Sequence, residues 1–123
     1  MRRPGRDPQP DSMKVVNYAA YASVPWRVAG LRPAHREYLA RLRADGRLVA
    51  CGPFTDGSGG LYIYETGSLA EAGEILAADP YLIGGVFAGC RLSAWEISHV
   101  NPALIPATRI MGWQAGESNE EGS

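Results

Sequence analysis

The chain has 123 residues, with 12 basic and 13 acidic side chains and a formal net charge of −1. This length suits one domain with a single core, and the charge balance argues against a nucleic-acid binder, which normally carries a basic stripe. Apolar runs fall short of the roughly 20 residues that span a bilayer, and the N-terminus lacks the apolar segment of a secretory signal, so we expect a cytoplasmic protein without a membrane partner.

The two ends of the chain differ in composition from its middle. Residues 1–12 are rich in Pro, Arg, Asp and Gly and show no apolar period, which predicts a disordered extension. Residues 101–123 begin apolar but irregular and end in an acidic stretch, which predicts a tail that is partly packed or disordered. The patterned domain is therefore expected to cover residues 13–100.

Within that domain, strand and helix signals alternate along the chain. The predicted strands are residues 14–22, 47–54, 61–66 and 90–98. The first helix is predicted from Pro33, which fits an opening helical turn, to about Ala44, with Gly46 as a left-handed cap. The second helix is predicted to start at the capping residue Ser68 and to end at about Ala78, and a glycine-rich connection follows it.

The resulting order, β-α-β-β-α-β, is that of a ferredoxin-like fold. It predicts an α+β protein in which a four-stranded antiparallel sheet carries two helices on one face. The uncovered face favours pairing with a second copy, so we expect a homodimer. The second and fourth strands form opposite edges of such a sheet, which predicts that Cys51 and Cys90 are free thiols.

His35 is the first candidate for chemistry, since it shares the apolar face of the first predicted helix with Leu39 and Leu42. The simplest interpretation is a packed histidine with a hydrogen bond to the backbone. A general base is the second, because a helix N-terminus disfavours imidazolium and a base requires neutral imidazole. A metal ligand is less favoured because His99, the other histidine, lies at the far end of the fourth strand. A Cys–His nucleophile is less favoured because Cys51 lies inside a strand.

A base needs an orienting group or a complementary acid, and Asp79 is the best candidate, although Asp before Pro is also a common turn. Arg32, three residues before His35, could hold an anionic substrate or be simply solvated. The "GSGG" stretch lacks the Lys-Ser/Thr of a phosphate loop and leads into a strand, so it does not predict nucleotide binding. Tyr62 and Tyr64 share one face of the third strand, which is typical of a core or an interface.

A family resemblance rests on motifs that occur together and in order over roughly residues 15–97: Arg32-x-x-His35, the run from Gly46 to Pro53, and Asp79-Pro80-Tyr81 followed by Gly85. With these motifs the chain resembles the YciI-like (YCII-related) family. The resemblance implies a ferredoxin-like fold that forms dimers of the α+β barrel kind, an active-site pair at His35 and Asp79, and lyase-type chemistry such as dehydrohalogenation. Relatives often carry an acidic residue after the first strand, and residues 21–26 contain none, so the role of that acid does not carry over.

Together these observations predict a small homodimeric enzyme that uses no cofactor and no metal. His35 would take a proton from a small organic substrate at the mouth of a cleft, and Asp79 would orient His35 or return the proton. The expected substrate-binding residues are Arg32, Gly52, Pro53 and Tyr81. Two alternatives stay open: a non-catalytic module that binds a small molecule or a protein, and a cofactor-independent oxygenase that acts on an electron-rich phenol.

Overall fold

A computed structural model describes residues 12–105 of the chain, so the predicted disorder or packing of residues 1–11 and 106–123 lies outside the described part. The strands are β1 (Met13–Tyr21), β2 (Leu48–Pro53), β3 (Gly59–Thr66) and β4 (Phe87–Trp95). The helices are α1 (Pro25–Ala44), α2 (Leu69–Ala77) and the short α3 (Pro80–Ile83), and a 3₁₀ turn covers Pro102–Leu104. The predicted ferredoxin-like order is confirmed, with α3 as an added turn between α2 and β4.

The strands of the described region form one four-stranded antiparallel sheet in the order β2-β3-β1-β4. The central pair is β1 and β3, and β2 and β4 are the edges. Cys51 on β2 and Cys90 on β4 therefore lie on opposite edges, and both are free thiols. No helix within residues 12–105 is long and apolar enough to cross a bilayer.

The helices pack on one face of this sheet and enclose the core. On β1 the inward side chains are Val15, Asn17 and Ala19, and on β3 they include Tyr62 and Tyr64; these five are buried. The register pairs Val15 with Tyr64 and Asn17 with Tyr62. Because successive strand residues point to opposite faces, the residues between them line the other side of the sheet.

The opposite face of the sheet stays partly open. Val16 and Ile63, which pair across β1 and β3, are half-buried. Tyr18 is 56 % exposed and packs beside Phe54 with ring centroids 5.1 Å apart. This second face is therefore apolar at its centre while remaining accessible.

Helix α1 begins earlier than predicted, at Pro25, and Pro33 lies inside the helix instead of in its first turn. The additional turns carry Val28 and Leu31, which pack against the core. This burial outweighs the hydrogen bond that Pro33 removes from the helix. His35 consequently lies well inside α1, and the macrodipole argument, which applies to the first turn, was wrong for this residue.

The segment before β4 also differs from the prediction. It contains α3, which begins at Pro80, and a turn at Gly85 with φ of 80°. That left-handed conformation is one that glycine adopts readily. The strand itself begins at Phe87, which pairs with Tyr21, and not at Cys90 as predicted. The short helix and its turn bring the start of β4 beneath α1.

Candidate active site

His35 and Asp79 meet in the core of the domain. Their side chains approach to 2.8 Å between His35 Nδ1 and Asp79 Oδ1. His35 is 0 % exposed and Asp79 is 1 % exposed. The two residues are 44 positions apart in sequence, so the folding of α3 against α1 is what creates the pair.

Asp79 is held in place by the sequence that follows it. A residue before proline is biased away from helical backbone, and Asp79 is extended, with φ −73° and ψ 127°. Its Oδ1 accepts a hydrogen bond of 2.8 Å from the Tyr81 N–H, which caps α3. The oxygen that caps this helix is therefore the same oxygen that contacts His35.

The hydrogen-bond partners of the His35 ring assign its tautomer. A carboxylate can only accept hydrogen bonds, so Nδ1 carries the proton and donates it to Asp79. The other nitrogen, Nε2, lies 3.2 Å from the Tyr62 hydroxyl. In neutral imidazole that nitrogen accepts, so the Tyr62 O–H donates to it. The basic lone pair of His35 thus points at Tyr62.

Three aromatic rings, Tyr62, Tyr81 and Phe87, form a box around the imidazole. Tyr81 stacks on it with centroids 3.6 Å apart and an interplanar angle of 8°. Tyr62 and Phe87 meet it edge-on, at 5.7 and 6.2 Å. The prediction that His35 lies at the mouth of a cleft was wrong, because its central place in α1 puts it beneath these rings.

Arg32 and Tyr21 lie beside this aromatic box. Burial raises the pKa of Tyr81 to about 12, and the nearby guanidinium of Arg32 acts in the opposite direction. Burial also raises the pKa of Tyr21, with Arg32 again among the opposing groups. The Tyr81 hydroxyl donates to the carbonyl of Val28 at 3.3 Å. Two of the four predicted substrate-binding residues, Arg32 and Tyr81, therefore lie close to the histidine–aspartate pair.

The other two predicted substrate-binding residues, Gly52 and Pro53, lie at the end of β2, where they pair with Leu61 and Gly60. The hydrogen bonds and ring contacts of His35 do not include them. Their part in the site stays a prediction.

Polar atoms near the box lack hydrogen-bond partners within the described residues. Asp79 Oδ2, the Tyr21 hydroxyl and Arg32 Nε are each buried and unpaired there. Buried polar groups are normally satisfied, so this concentration marks the neighbourhood as unusual. A shallow depression of about 470 Å³, lined by Lys14, Trp95 and their neighbours, lies at the other end of the sheet and is separate from this site.

Two of the interpretations of His35 lose support from the geometry. Burial raises the pKa of Cys51 to about 12, so its thiol is a poor nucleophile near neutral pH. His99 is exposed and contacts Ser98. Among the residues the structure describes, no group of three or more His, Cys, Asp or Glu side chains is placed to hold a metal ion.

Three residues of the site were not predicted from the sequence: Tyr62, Phe87 and Tyr21. Tyr62 was interpreted as a core or interface residue because its strand alternates cleanly. It is a core residue, and its hydroxyl nevertheless contacts the histidine. The alternation of apolar residues in β3 shows on which face of the sheet Tyr62 lies. It does not show which helix residue packs opposite Tyr62.

Comparison with known proteins identifies the family. The YCII-related domain matches residues 13–96. The chain belongs to the YCII-related family. The resemblance drawn from the motifs is thereby confirmed. The uncharacterized protein YjpA of Bacillus subtilis is 51 % identical over 51 residues, which cover 42 % of this chain and 60 % of YjpA.

A solved structure shares the fold of this YCII-related chain. It is 5-chloro-2-hydroxyhydroquinone dehydrochlorinase (TftG) from Burkholderia phenoliruptrix, in complex with 2,5-dihydroxybenzoquinone. The TM-score is 0.62 at 23 % sequence identity, and the match covers 68 % of this chain and 94 % of that one. At this level of identity the likeness shows the fold alone.

The contact between His35 and Asp79 leads to a prediction about stability. Asp79→Ala removes the cap of α3 and leaves the His35 Nδ1–H buried without an acceptor. Breaking a buried, charge-assisted hydrogen bond from one side costs about 3 kcal/mol, so we expect the free energy of unfolding in urea to fall by about that amount. The control is Asp56→Ala, which removes an exposed carboxylate that accepts from the Ser58 N–H at 2.9 Å. Equal losses in the two variants would contradict the structural importance of the pair.

Proposed function

We propose that this protein is a small acid–base enzyme in which His35 moves a proton on a small organic substrate without a cofactor. The observation that supports this most strongly is the fixed tautomer of the imidazole. Asp79 accepts from Nδ1 at 2.8 Å, which leaves Nε2 as the basic nitrogen. A base held in orientation by a carboxylate is the arrangement that general base catalysis requires.

The reaction class we propose is a lyase-type elimination. A fold neighbour is a dehydrochlorinase that acts on a chlorinated hydroxyhydroquinone, which supports this choice. Loss of hydrogen chloride removes one proton and one chloride ion, and the bonding electrons leave with chloride. The step therefore needs a base but no oxidant or reductant. Positioned acid–base groups contribute about 10²–10⁴-fold in rate.

One observation favours a second candidate, a module that binds a small molecule without converting it. His35 is 0 % exposed, and its two ring nitrogens have protein partners. A histidine in that state can serve as a rigid part of a binding site. The two candidates differ in whether a bound ligand undergoes bond breaking.

The test is chloride release from 5-chloro-2-hydroxyhydroquinone, the substrate that the name of the fold neighbour gives. We expect the wild-type protein to accelerate release and His35→Asn to lose about 10²-fold or more of that rate. The matched control is Tyr38→Phe, which removes a hydroxyl that donates to the Ile75 carbonyl at 2.6 Å and should retain the rate. Circular dichroism would check that each variant is folded.

Calorimetry with 2,5-dihydroxybenzoquinone separates the two candidates, since that molecule is the ligand of the neighbouring structure. Binding without chloride release from the chlorinated probe would contradict the enzyme and support the binding module. Chloride release that survives in His35→Asn would contradict the role of His35 as base.

We further propose that the domain, over residues 13–100, forms a homodimer through the open face of its sheet. The half-buried pair Val16 and Ile63 and the exposed ring of Tyr18 make the centre of that face apolar. Accessible apolar patches of this kind mark interaction sites. The partner we propose is a second copy of this chain, so that the same sheet face of each copy forms a two-fold symmetric interface.

Light scattering at micromolar concentration tests the dimer. We expect a mass of twice the 13.2 kDa chain, and we expect Tyr18→Asp to shift it towards one chain by placing a charge in the interface. Trp26→Asp is the control, because Trp26 is 68 % exposed but lies in α1, away from the open face. A wild-type mass of one chain would overturn the proposal.

A further inference from the structure

The burial of His35 leaves open how a substrate proton reaches it. Nδ1 is bound to Asp79, and the Tyr62 hydroxyl stands 3.2 Å from Nε2. Tyr62 is itself 2 % exposed, and the stacked ring of Tyr81 covers one face of the imidazole. A substrate therefore meets another group before it meets His35.

The Tyr62 hydroxyl leads to Tyr21. Both rings pack on Phe87, with centroids 5.7 Å from it for Tyr62 and 6.1 Å for Tyr21. The two hydroxyls are close enough for each to affect the other's pKa, although the geometry falls short of a formed hydrogen bond. The Tyr21 oxygen is buried and has no hydrogen-bond partner within residues 12–105.

Tyr21 is also the group of this series that lies nearest to solvent. It is half-buried at the end of β1, where the register with β4 shifts between Ala20 and Tyr21. Arg32 lies beside it, with a buried Nε that is unpaired among the described residues. The series Asp79, His35, Tyr62, Tyr21 thus runs from the core to a side chain that is partly exposed.

We infer that Tyr62 and Tyr21 form a proton relay that connects the buried base His35 to a substrate bound beside Tyr21 and Arg32. This inference rests on the proposed function and deepens it. Once the Tyr21 and Tyr62 hydroxyls close to hydrogen-bond distance, the substrate proton passes to the Tyr21 oxygen, the Tyr21 proton passes to Tyr62 and the Tyr62 proton passes to His35 Nε2. The result is a substrate anion, two neutral tyrosines and an imidazolium that donates to the Asp79 carboxylate.

The environment of Tyr62 fits such a transfer. Burial raises the pKa of its hydroxyl far above the usual value near 10, and the neighbouring Tyr21 adds to the rise. Tyr62 therefore does not persist as a phenolate. It gives up one proton while it receives another, which is how a neutral hydroxyl takes part in a relay.

Arg32 defines the class of substrate. A guanidinium is always charged and has several N–H donors, so it stabilises an oxygen that becomes negative when the proton leaves. The substrate is therefore a small molecule with a weakly acidic hydroxyl, a phenol or an enol. Loss of its proton places negative charge on an oxygen beside Arg32 and pushes electrons towards the leaving group.

The test compares three Tyr→Phe variants in the full chain. Tyr21→Phe and Tyr62→Phe each interrupt the relay, and we expect each to lose about 10²-fold in chloride release from 5-chloro-2-hydroxyhydroquinone. Tyr64→Phe is the matched control, because Tyr64 is a buried tyrosine on the same strand face whose hydroxyl contacts Asn17 and not His35. It should retain the wild-type rate. Full rates in Tyr21→Phe and Tyr62→Phe, with loss in His35→Asn, would overturn the relay and leave the proposed function standing.

A second readout needs no substrate. Proton NMR can follow the exchange of the Tyr62 hydroxyl proton with water, and we expect this exchange to slow in Tyr21→Phe and to stay unchanged in Tyr64→Phe. A role for Tyr21 in packing alone would not slow this exchange. Unchanged exchange in Tyr21→Phe would contradict the relay even if the variant lost activity.

Discussion

A single carboxylate oxygen, Asp79 Oδ1, joins the parts of the site. It accepts one hydrogen bond from the Tyr81 N–H and one from His35 Nδ1, each at 2.8 Å. The first bond caps α3 and the second joins that cap to α1. Through Tyr81, whose ring stacks on the imidazole, the same short segment also covers one face of His35. The orientation of the histidine, its tautomer and its burial therefore follow from one interaction.

Placing this carboxylate in the core is costly, since burial of a charge is offset only by good hydrogen bonds. Oδ1 is well satisfied, but Oδ2 has no partner among residues 12–105. A fold selected for stability alone would do as well with apolar side chains at both positions of the pair. The position of the pair beside the unpaired Tyr21 hydroxyl and Arg32 Nε is instead consistent with a role in chemistry or recognition, because unsatisfied buried groups concentrate at such sites.

The fold could be predicted from local patterns, because alternation and helix signals fix the order of strands and helices. The shared face of His35, Leu39 and Leu42 was likewise readable from helical spacing, and the three are buried together. The start of α1 could not be predicted in this way, because Pro25 and Pro33 fit an opening turn equally well. The burial of Val28 and Leu31 decides between them. That error placed His35 near the start of its helix and at the mouth of a cleft.

The site depended on contacts that no local pattern reveals. Asp79 was the best candidate for a partner of the base and the family resemblance supported it, but a turn-forming Asp before Pro looks the same in sequence whether or not a histidine lies above it. The two interpretations of Asp79 proved compatible, because capping and contact use one oxygen. Tyr62 and Tyr21 were missed for a related reason: strand alternation shows the face of a residue, whereas the partner of its hydroxyl is set by how α1 and β4 pack over it.

The protonation of the His35 ring is the most direct test, since the proposed base, its orienting carboxylate and the proposed relay all depend on it. Nitrogen-15 NMR of histidine-labelled protein near neutral pH distinguishes the two ring nitrogens. We expect a protonated Nδ1 and an unprotonated Nε2 that accepts a hydrogen bond, with the Nε2 signal moving when Tyr62 is replaced by Phe. A proton on Nε2 in the wild-type protein, alone or together with one on Nδ1, would contradict both this tautomer and the proposed role of His35 as a base.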